Sequence, residues 1–390
     1  MFEKYIKIDD IIATLLYFIA FLRMPTIDMY NKIKIYILFV VLIYCIYNFS
    51  QIDSKYKRIN LFLVFFGIWT LISAFINRYN TRMTNPFSAA LYFVFSLLGI
   101  TLALEILVKR IGYNNLIKSF FRSSGLVIFL LDCYIFSGRV NWQGDGTNFG
   151  IGTKFAVMYQ HLIFLWLWLS VTQENQKLKK VRFLLVPFII AIGIKVDCNT
   201  GIVGTALFLI IICLVLKNIE LFLRPYVALS VLLLAFMYVF AGALVMSNTY
   251  IVGFFDNYMG GSETMMSRVG IYAESLPLIG TTPIWGFGYG TTYELGMTFS
   301  SFANTQNSLL EWAWFAGWPA TIMICSILYV VFAFIKSNYM KEGRVDIFSL
   351  SLFFVYMLLG TVEILMELPF FAILMTTMIS VNKENEDSVK

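Results

Sequence analysis

An all-α, polytopic membrane protein is the fold class this sequence predicts, and three observations predict it. Apolar residues fill 59% of the 390 positions and charged ones only 13%, giving a mean hydropathy of +0.77, far above that of a soluble domain. Apolar runs recur along the whole chain, so the hydrophobicity belongs to many spans and not to one anchor. The Lys and Arg residues cluster in short segments between those runs, the ordinary pattern of membrane topology.

Taken in order, the apolar runs place spans near 10–27, 33–49, 59–76, 87–108, 123–138, 153–171, 183–196, 201–216, 225–246, 309–335, 346–362 and 365–381, about twelve crossings. The seventh, eighth, eleventh and twelfth fall short of the ~20 residues of a full crossing and read as tilted or half-helices. The basic start "MFEKYIK" leads into an apolar run with no small-residue cleavage site after it, so the first span is expected to be retained. With the N-terminus inside, most of the 29 Lys and Arg fall on the cytoplasmic side, which predicts both termini inside. The organisation is a transmembrane region over 1–246, an extracellular loop over 247–308 between the ninth and tenth spans, and a second transmembrane region with a cytoplasmic tail over 309–390.

A net charge of +6 would suggest nucleic acid in a soluble protein. Here it is topology, and no nucleic-acid partner is expected; the partner is the lipid bilayer. The five scattered cysteines and the single histidine offer no metal-ligand spacing, so no metal and no cofactor are expected. The stretch "KRIGYNNLIKSFFR", 109–122, alternates apolar and basic residues as an interfacial helix does.

The loop 247–308 is long enough to suggest function. Within it "ETMMSRVGIYAESL" reads as a short helix ended by Pro277, on which Arg268, Ile271, Tyr272 and Ser275 share a face and Glu274 points elsewhere. "WGFGYG" places Gly286, Gly288 and Gly290 at alternate positions, which suits either a structural turn or a close backbone approach to phosphate. Cations predicted on the outer side, Arg23, Arg78, Arg82, Arg139, Lys154, Lys195 and Arg268, run against the positive-inside pattern, and arginine forks match phosphate oxygens. His161 in "KFAVMYQHLIF" reads as a buried hydrogen-bonded residue or a proton-transfer group. Asp132, Glu363 and Glu367 are carboxylates at membrane depth, where they face wet cavities or pair with cations.

The succession "SRVGIY", "WGFGYG", "NTQNSLLE" and "FAGW", with the earlier "IGTKFAVMYQHL" and "DCNTGIVG", resembles the O-antigen polymerase and ligase superfamily, most of all its capsular and exopolysaccharide repeat-unit polymerases. The resemblance implies a metal-independent glycosyltransferase in a bacterial plasma membrane. It would join polyprenyl-diphosphate-linked oligosaccharide repeat units at the outer face, beside a flippase and a chain-length regulator of the same pathway. Arg268 matches the position of a family arginine that grips diphosphate. Where relatives carry a histidine ahead of the late span, this chain has Thr305, Gln306, Asn307 and Ser308. The expected site therefore comprises Arg268, His161 and Glu274 as catalytic residues. Arg78, Arg82, Arg139, Lys154, Lys195, Tyr272, Gly288, Gln306 and Asn307 are expected to bind substrate. For a base, Glu274, Glu311, Glu363, Glu367 and His161 all stay open. A ligase that moves the glycan to another acceptor and a lipid-linked oligosaccharide flippase are the alternative readings; no internal repeat marks related halves as a transporter would.

Overall fold

A computed structural model describes residues 8–24, 28–138, 141–143, 146–173, 178, 181–246, 263–300 and 302–381. The described chain is helical throughout, apart from short 3-10 turns and one antiparallel hairpin that pairs Asn141–Gln143 with Gly146–Asn148. The helices are α1 (Ile8–Ala20), α2 (Asp28–Tyr47), α3 (Lys57–Ile76), α4 (Pro86–Ile111), α5 (Tyr113–Phe136), α6 (Lys154–Gln173), α7 (Leu185–Lys195), α8 (Asn199–Lys217), α9 (Ile219–Phe222) and α10 (Pro225–Met246). They continue with α11 (Glu263–Thr281), α12 (Thr292–Phe299), α13 (Ser308–Glu342), α14 (Ile347–Leu359) and α15 (Leu368–Ile379).

A helix lies at each of the twelve expected spans, but length separates them. Seven described helices are long and apolar enough to cross a membrane, a composition compatible with a multi-pass membrane protein. Of the four spans expected to be short, the eighth is not: α8 has 19 residues and is one of the seven. The short ones are α1, α7, α14 and α15, with 13, 11, 13 and 12 residues, and at 1.5 Å per residue they span only about 16–20 Å. The outward faces carry an apolar belt, including Phe39, Ile46, Leu130, Ile194 and Ile322, each more than half exposed.

Local chemistry sets the ends. Asn85 caps α4 by accepting the Phe87 and Ser88 N–H groups at 3.0 and 3.1 Å ahead of Pro86, and Lys109 and Arg110 fill the last turn. Gly112, at φ +79°, then turns the chain straight into α5. The expected interfacial helix over 109–122 is thus divided between two long helices, and its apolar residues Leu116, Ile117 and Phe120 are buried in the bundle.

Successive long helices run in opposite directions. Asp346 collects α5, α6, α14 and α15 at one end, through Tyr113, Ser170, Phe348 and Ser380; this is the Asp346 end. Asp9, Asn48 and Arg110 tie α1, α2 and α4 together there. Lys154, Asn77 and the 286–290 turn lie at the opposite end.

Two breaks position the site at that opposite end. α13 is interrupted at Ala316 and Gly317, where Gly317 adopts φ +72°, ψ 178°, a conformation essentially closed to other residues. Residues 308–315 then lead back into the bundle. Phe315 O accepts the Ser73 hydroxyl near the end of α3, while the Trp312 ring lies 4.9 Å from Phe66, midway along α3, and 5.2 Å from Phe93, two turns into α4. Meanwhile α14 and α15 form a short hairpin whose ends are joined by the Asp346 N–H to the Ser380 hydroxyl, 3.0 Å. Its tip, 360–367, reaches only part way along the bundle and meets the start of α13. Ser308 N donates to Gly360 O, the Ser308 hydroxyl donates to Glu363 O and accepts Leu365 N, and Asn307 Nδ2 donates to Thr361 O.

Candidate functional site

Where α13 begins and the α14–α15 hairpin turns, the bundle encloses a cavity of about 370 Å³. Its walls come from the Phe21–Arg23 exit of α1, the 151–153 turn, the Tyr159–Gln160 face of α6, the 304–306 loop, Tyr356, and the 363–369 tip. Two arginine–glutamate couples belong to it. Glu363 on the wall takes Arg268 Nη2 at 3.1 Å, with the side chains 13% and 22% exposed. Glu367 pairs with Arg23, both on the wall, at 18% and 47% exposure. Tyr159 adds a buried hydroxyl with no hydrogen-bond partner, the kind of group that a polar ligand would satisfy. Gln160 is already held, accepting Tyr17 OH at 3.1 Å and donating to Phe21 O.

The backbone beside the cavity is fixed by the broken helix. Phe287 N donates to Trp314 O (2.7 Å), Gly288 N to Phe315 O (3.0 Å) and Trp318 N to Pro283 O (2.9 Å), so the 283–288 turn docks main chain to main chain on the break. A Cβ at Gly286 would sit 2.4 Å from Trp314 O, and one at Gly317 would sit 2.1 Å from Ile284 O. These glycines therefore permit close approach of backbone to backbone. Pro277 does not end its helix: α11 continues through it to Thr281.

The predicted site residues separate into groups. Arg268 reaches the cavity carboxylate Glu363. Gln306, with a left-handed φ of +52°, lines the cavity. Tyr272 and Asn307 lie just behind it: Tyr272 OH donates to Gln306 O and Thr361 O, and Asn307 caps α13 by accepting the Leu309 and Leu310 N–H groups. Gly288 sits in the turn at φ +100°, where a Cβ would press on Asn77 and Pro86 at 3.0 Å.

The rest lie elsewhere. His161 is fully buried on another face of α6, with Nδ1 2.8 Å from Val157 O and Nε2 3.2 Å from Asp132 Oδ1, and it does not line the cavity. Glu274 is exposed on α11. Arg78 is taken up locally, Nη1 donating to Phe75 O at 2.8 Å and the guanidinium lying over the Phe75 ring. Arg82 and Met83 donate their backbone N–H groups to Glu294 at 2.6 and 2.9 Å; the Arg82 N–H, then that of Met83, holds the Glu294 carboxyl below the usual carboxylate range. Lys154 pairs with Asp197 at 3.4 Å and Lys195 is exposed. Arg139 lies outside the described residues, as does 247–262 of the expected loop. Glu311 is buried and occupied by Thr292 and Thr305 hydroxyls at 2.6 and 2.7 Å.

No protein-family model matches the chain. No curated protein matches it significantly. The site is therefore read from its own chemistry. Two guanidinium groups offer forks for an anion, and each is held in advance by a carboxylate that an anion would have to displace. Among the described residues no three His, Cys, Asp or Glu side chains gather as metal ligands would. Sequence reasoning held Glu363 and Glu367 open as the base and counted Arg23 among the out-of-place cations, without choosing any of the three for the site. It missed Tyr159 and Gln160, although both stand beside His161 in "MYQH", and Tyr356, which the surrounding apolar run conceals.

Proposed function

We propose that this chain is a membrane glycosyltransferase that joins polyprenyl-diphosphate-linked oligosaccharide repeat units into a surface polysaccharide at the outer face of a bacterial plasma membrane. The observation that carries the reading is the pair of Arg–Glu couples, Arg23–Glu367 on the wall of one cavity and Arg268 behind it on the wall carboxylate Glu363, within an otherwise apolar bundle. Charged groups kept in such surroundings mark a polar substrate's path. The cavity opens at the end opposite Asp346. The Asp346 end carries Lys57, Arg58, Lys109, Arg110, Lys217, Arg224, Lys341 and Arg344, which favours the cytoplasm for that end and the exterior for the cavity.

The chemistry follows from exchange of partners. A diphosphate entering the cavity takes the Arg268 and Arg23 forks, and its departing charge is stabilised there. Glu363 loses its cation and becomes a free acceptor in a poorly solvated site. The acceptor hydroxyl oxygen attacks the anomeric carbon of the donor, the bond from that carbon to the diphosphate oxygen breaks, and its electron pair leaves with the diphosphate. The hydroxyl proton passes to Glu363. Arg268 and Glu363 thus act as one unit, with Arg23 and Glu367 as the second grip.

Loss of the gene is expected to accumulate single lipid-linked repeat units with no long polymer. Restoring the gene with Arg268→Ala, in cells that hold the variant protein at normal levels, is expected to leave that block in place. Unchanged chain length and yield with this variant would overturn the assignment. The interrupted α13 and the short α14–α15 hairpin also favour a second reading, because transporters build midplane sites from such half-helices. Accumulation of repeat units on the cytoplasmic leaflet alone would decide for that flippase.

A further inference from the structure

Where α1 ends and α2 and α4 begin, the bundle buries a cation that has been given no counter-ion. Leu38 packs on α4 at Gly99, where a Cβ would meet its side chain at 3.4 Å, and Lys34 stands one turn earlier on the same face of α2. Lys34 is accordingly only 9% exposed, while its neighbours Ile33 and Ile35 face outward. Its ammonium lies over the Tyr30 ring, 4.9 Å from the centroid, and among the described residues it meets no carboxylate and no hydrogen-bond acceptor. That ring is fixed, because the Tyr30 hydroxyl is shared between Phe18 O and Leu22 O at 3.0 Å each. The charge that bears on Lys34 is another cation, Arg23. Arg23 bears in turn on the Tyr92 hydroxyl of α4, which is buried without a hydrogen-bond partner. Two cations at this corner therefore share one carboxylate, the Glu367 that already holds Arg23. A buried ammonium without a counter-ion is costly, and an aromatic face returns only part of that cost.

From this we infer that Lys34 and Tyr92, beside Arg23, seat the lipid-side phosphate of the polyprenyl diphosphate, while Arg268 serves the phosphate next to the sugar. The assignment rests on the proposed function for the identity of the lipid. Phosphate oxygens would take N–H groups of the Lys34 ammonium and the Tyr92 hydroxyl as Arg23 turns to them from Glu367, so every unspent donor at the corner gains an acceptor and the surplus positive charge is offset. Position supports the lipid side. Lys34 lies six residues into α2, about 9 Å along the helix from its outer end, and the exposed apolar face of Ile33, Ile35 and Tyr36 beside it gives a polyprenyl chain its way into the bilayer.

The test uses the purified full chain in detergent and follows thermal unfolding while polyprenyl diphosphate, inorganic pyrophosphate or phosphatidylglycerol is titrated in. Polyprenyl diphosphate is expected to raise the midpoint saturably, as a ligand of the folded state does. Lys34→Met keeps the packing on Tyr30 and removes the charge. Without ligand it is expected to unfold at the wild-type temperature or above, since a buried charge without a counter-ion is gone. With ligand it is expected to need about tenfold more polyprenyl diphosphate for the same response, the loss of one hydrogen bond to a charged group. Lys32→Met, which removes an exposed charge from the same helix, is expected to keep the wild-type response. Unchanged affinity in Lys34→Met would overturn the subsite, and so would an equal loss in Lys32→Met, which would reduce the effect to general surface charge. An equal shift with phosphatidylglycerol would overturn the diphosphate assignment, and one with pyrophosphate would overturn the lipid-side placement. Turnover of lipid-linked repeat units in membranes separates the subsite from the reaction. Polymerisation with an unchanged KM in Lys34→Met would end the subsite and keep the glycosyltransferase, whereas binding that is weakened in Lys34→Met, in a chain that joins no repeat units, would keep the subsite and end the reaction.

Discussion

At the scale of single residues, the site is defined by which charges have been given partners. Arg268 and Glu363 lie 95 positions apart, so no helical or strand spacing could have joined them. What the sequence did show was that each was out of place: an arginine on the wrong side of the charge bias and a glutamate in an apolar run. His161 attracted notice as the sole histidine, yet its neighbour Gln160 is the one that turns to the cavity. His161→Gln and Glu274→Gln are accordingly expected to leave polymer yield unchanged. Arg23→Ala and Glu363→Gln are expected to lower turnover by about 10²–10³, the usual loss when a transition-state charge stabiliser or its coupled base is removed. Turnover of lipid-linked repeat units in membranes checks all four, and a silent Glu363→Gln would remove that carboxylate from the mechanism.

Glu294 permits a prediction in pH. Its carboxylate is favoured by the Arg82 and Met83 N–H groups, so its folded-state pKa is lowered. The stabilising contribution is present above the ordinary carboxylate range and is lost as pH falls through the lowered value. A nitroxide at residue 80 is expected to be immobilised at neutral pH and to loosen in acid. With Glu294→Gln it should be loose at every pH, and a pH-independent spectrum in the parent chain would contradict the account.

At the scale of elements, apolar runs located the helices, while their lengths were set by caps and breaks that hydropathy does not encode. The run over 309–335 hides the interruption at 316–317 because Ala, Gly and Trp are all acceptable in an apolar span. Pro277 suggested a stop and is instead accommodated inside α11. Gly317→Ala is expected to destabilise the chain by about 3 kcal/mol or more, since the conformation alone costs about 1–3 kcal/mol outside glycine and its Cβ would strike Ile284 O. Asn307→Ala removes a cap and the shorter of the two hydrogen bonds to Thr361 O, together about 2 kcal/mol. Thermal midpoints in detergent measure both; a neutral Gly317→Ala would refute the packing described at the break.

At the scale of the whole molecule, the alternation of helix direction and the gathering of basic side chains at the Asp346 end are what the positive-inside pattern anticipates in sequence. The number of crossings was less legible, because a short apolar helix and a full crossing differ by a few residues that a polar turn can claim. Single cysteines introduced at residues 80 and 290 are expected to react with an impermeant maleimide from outside intact cells, and one at residue 343 only after lysis. The reverse pattern would place the candidate cavity in the cytoplasm and end the proposed reaction.

The seam between 283–288 and 314–318 is written in main-chain atoms, and that has a consequence for how the chain tolerates change. A saturation scan across both segments is expected to show three intolerant glycine columns, Gly286, Gly288 and Gly317, each at positive φ with no room for a Cβ. An exposed neighbour such as Ile284 can be exchanged while the peptide groups keep their bonds. The main-chain bonds of the seam would thus be nearly invisible to side-chain comparison, readable mainly as three glycines in two segments about thirty positions apart.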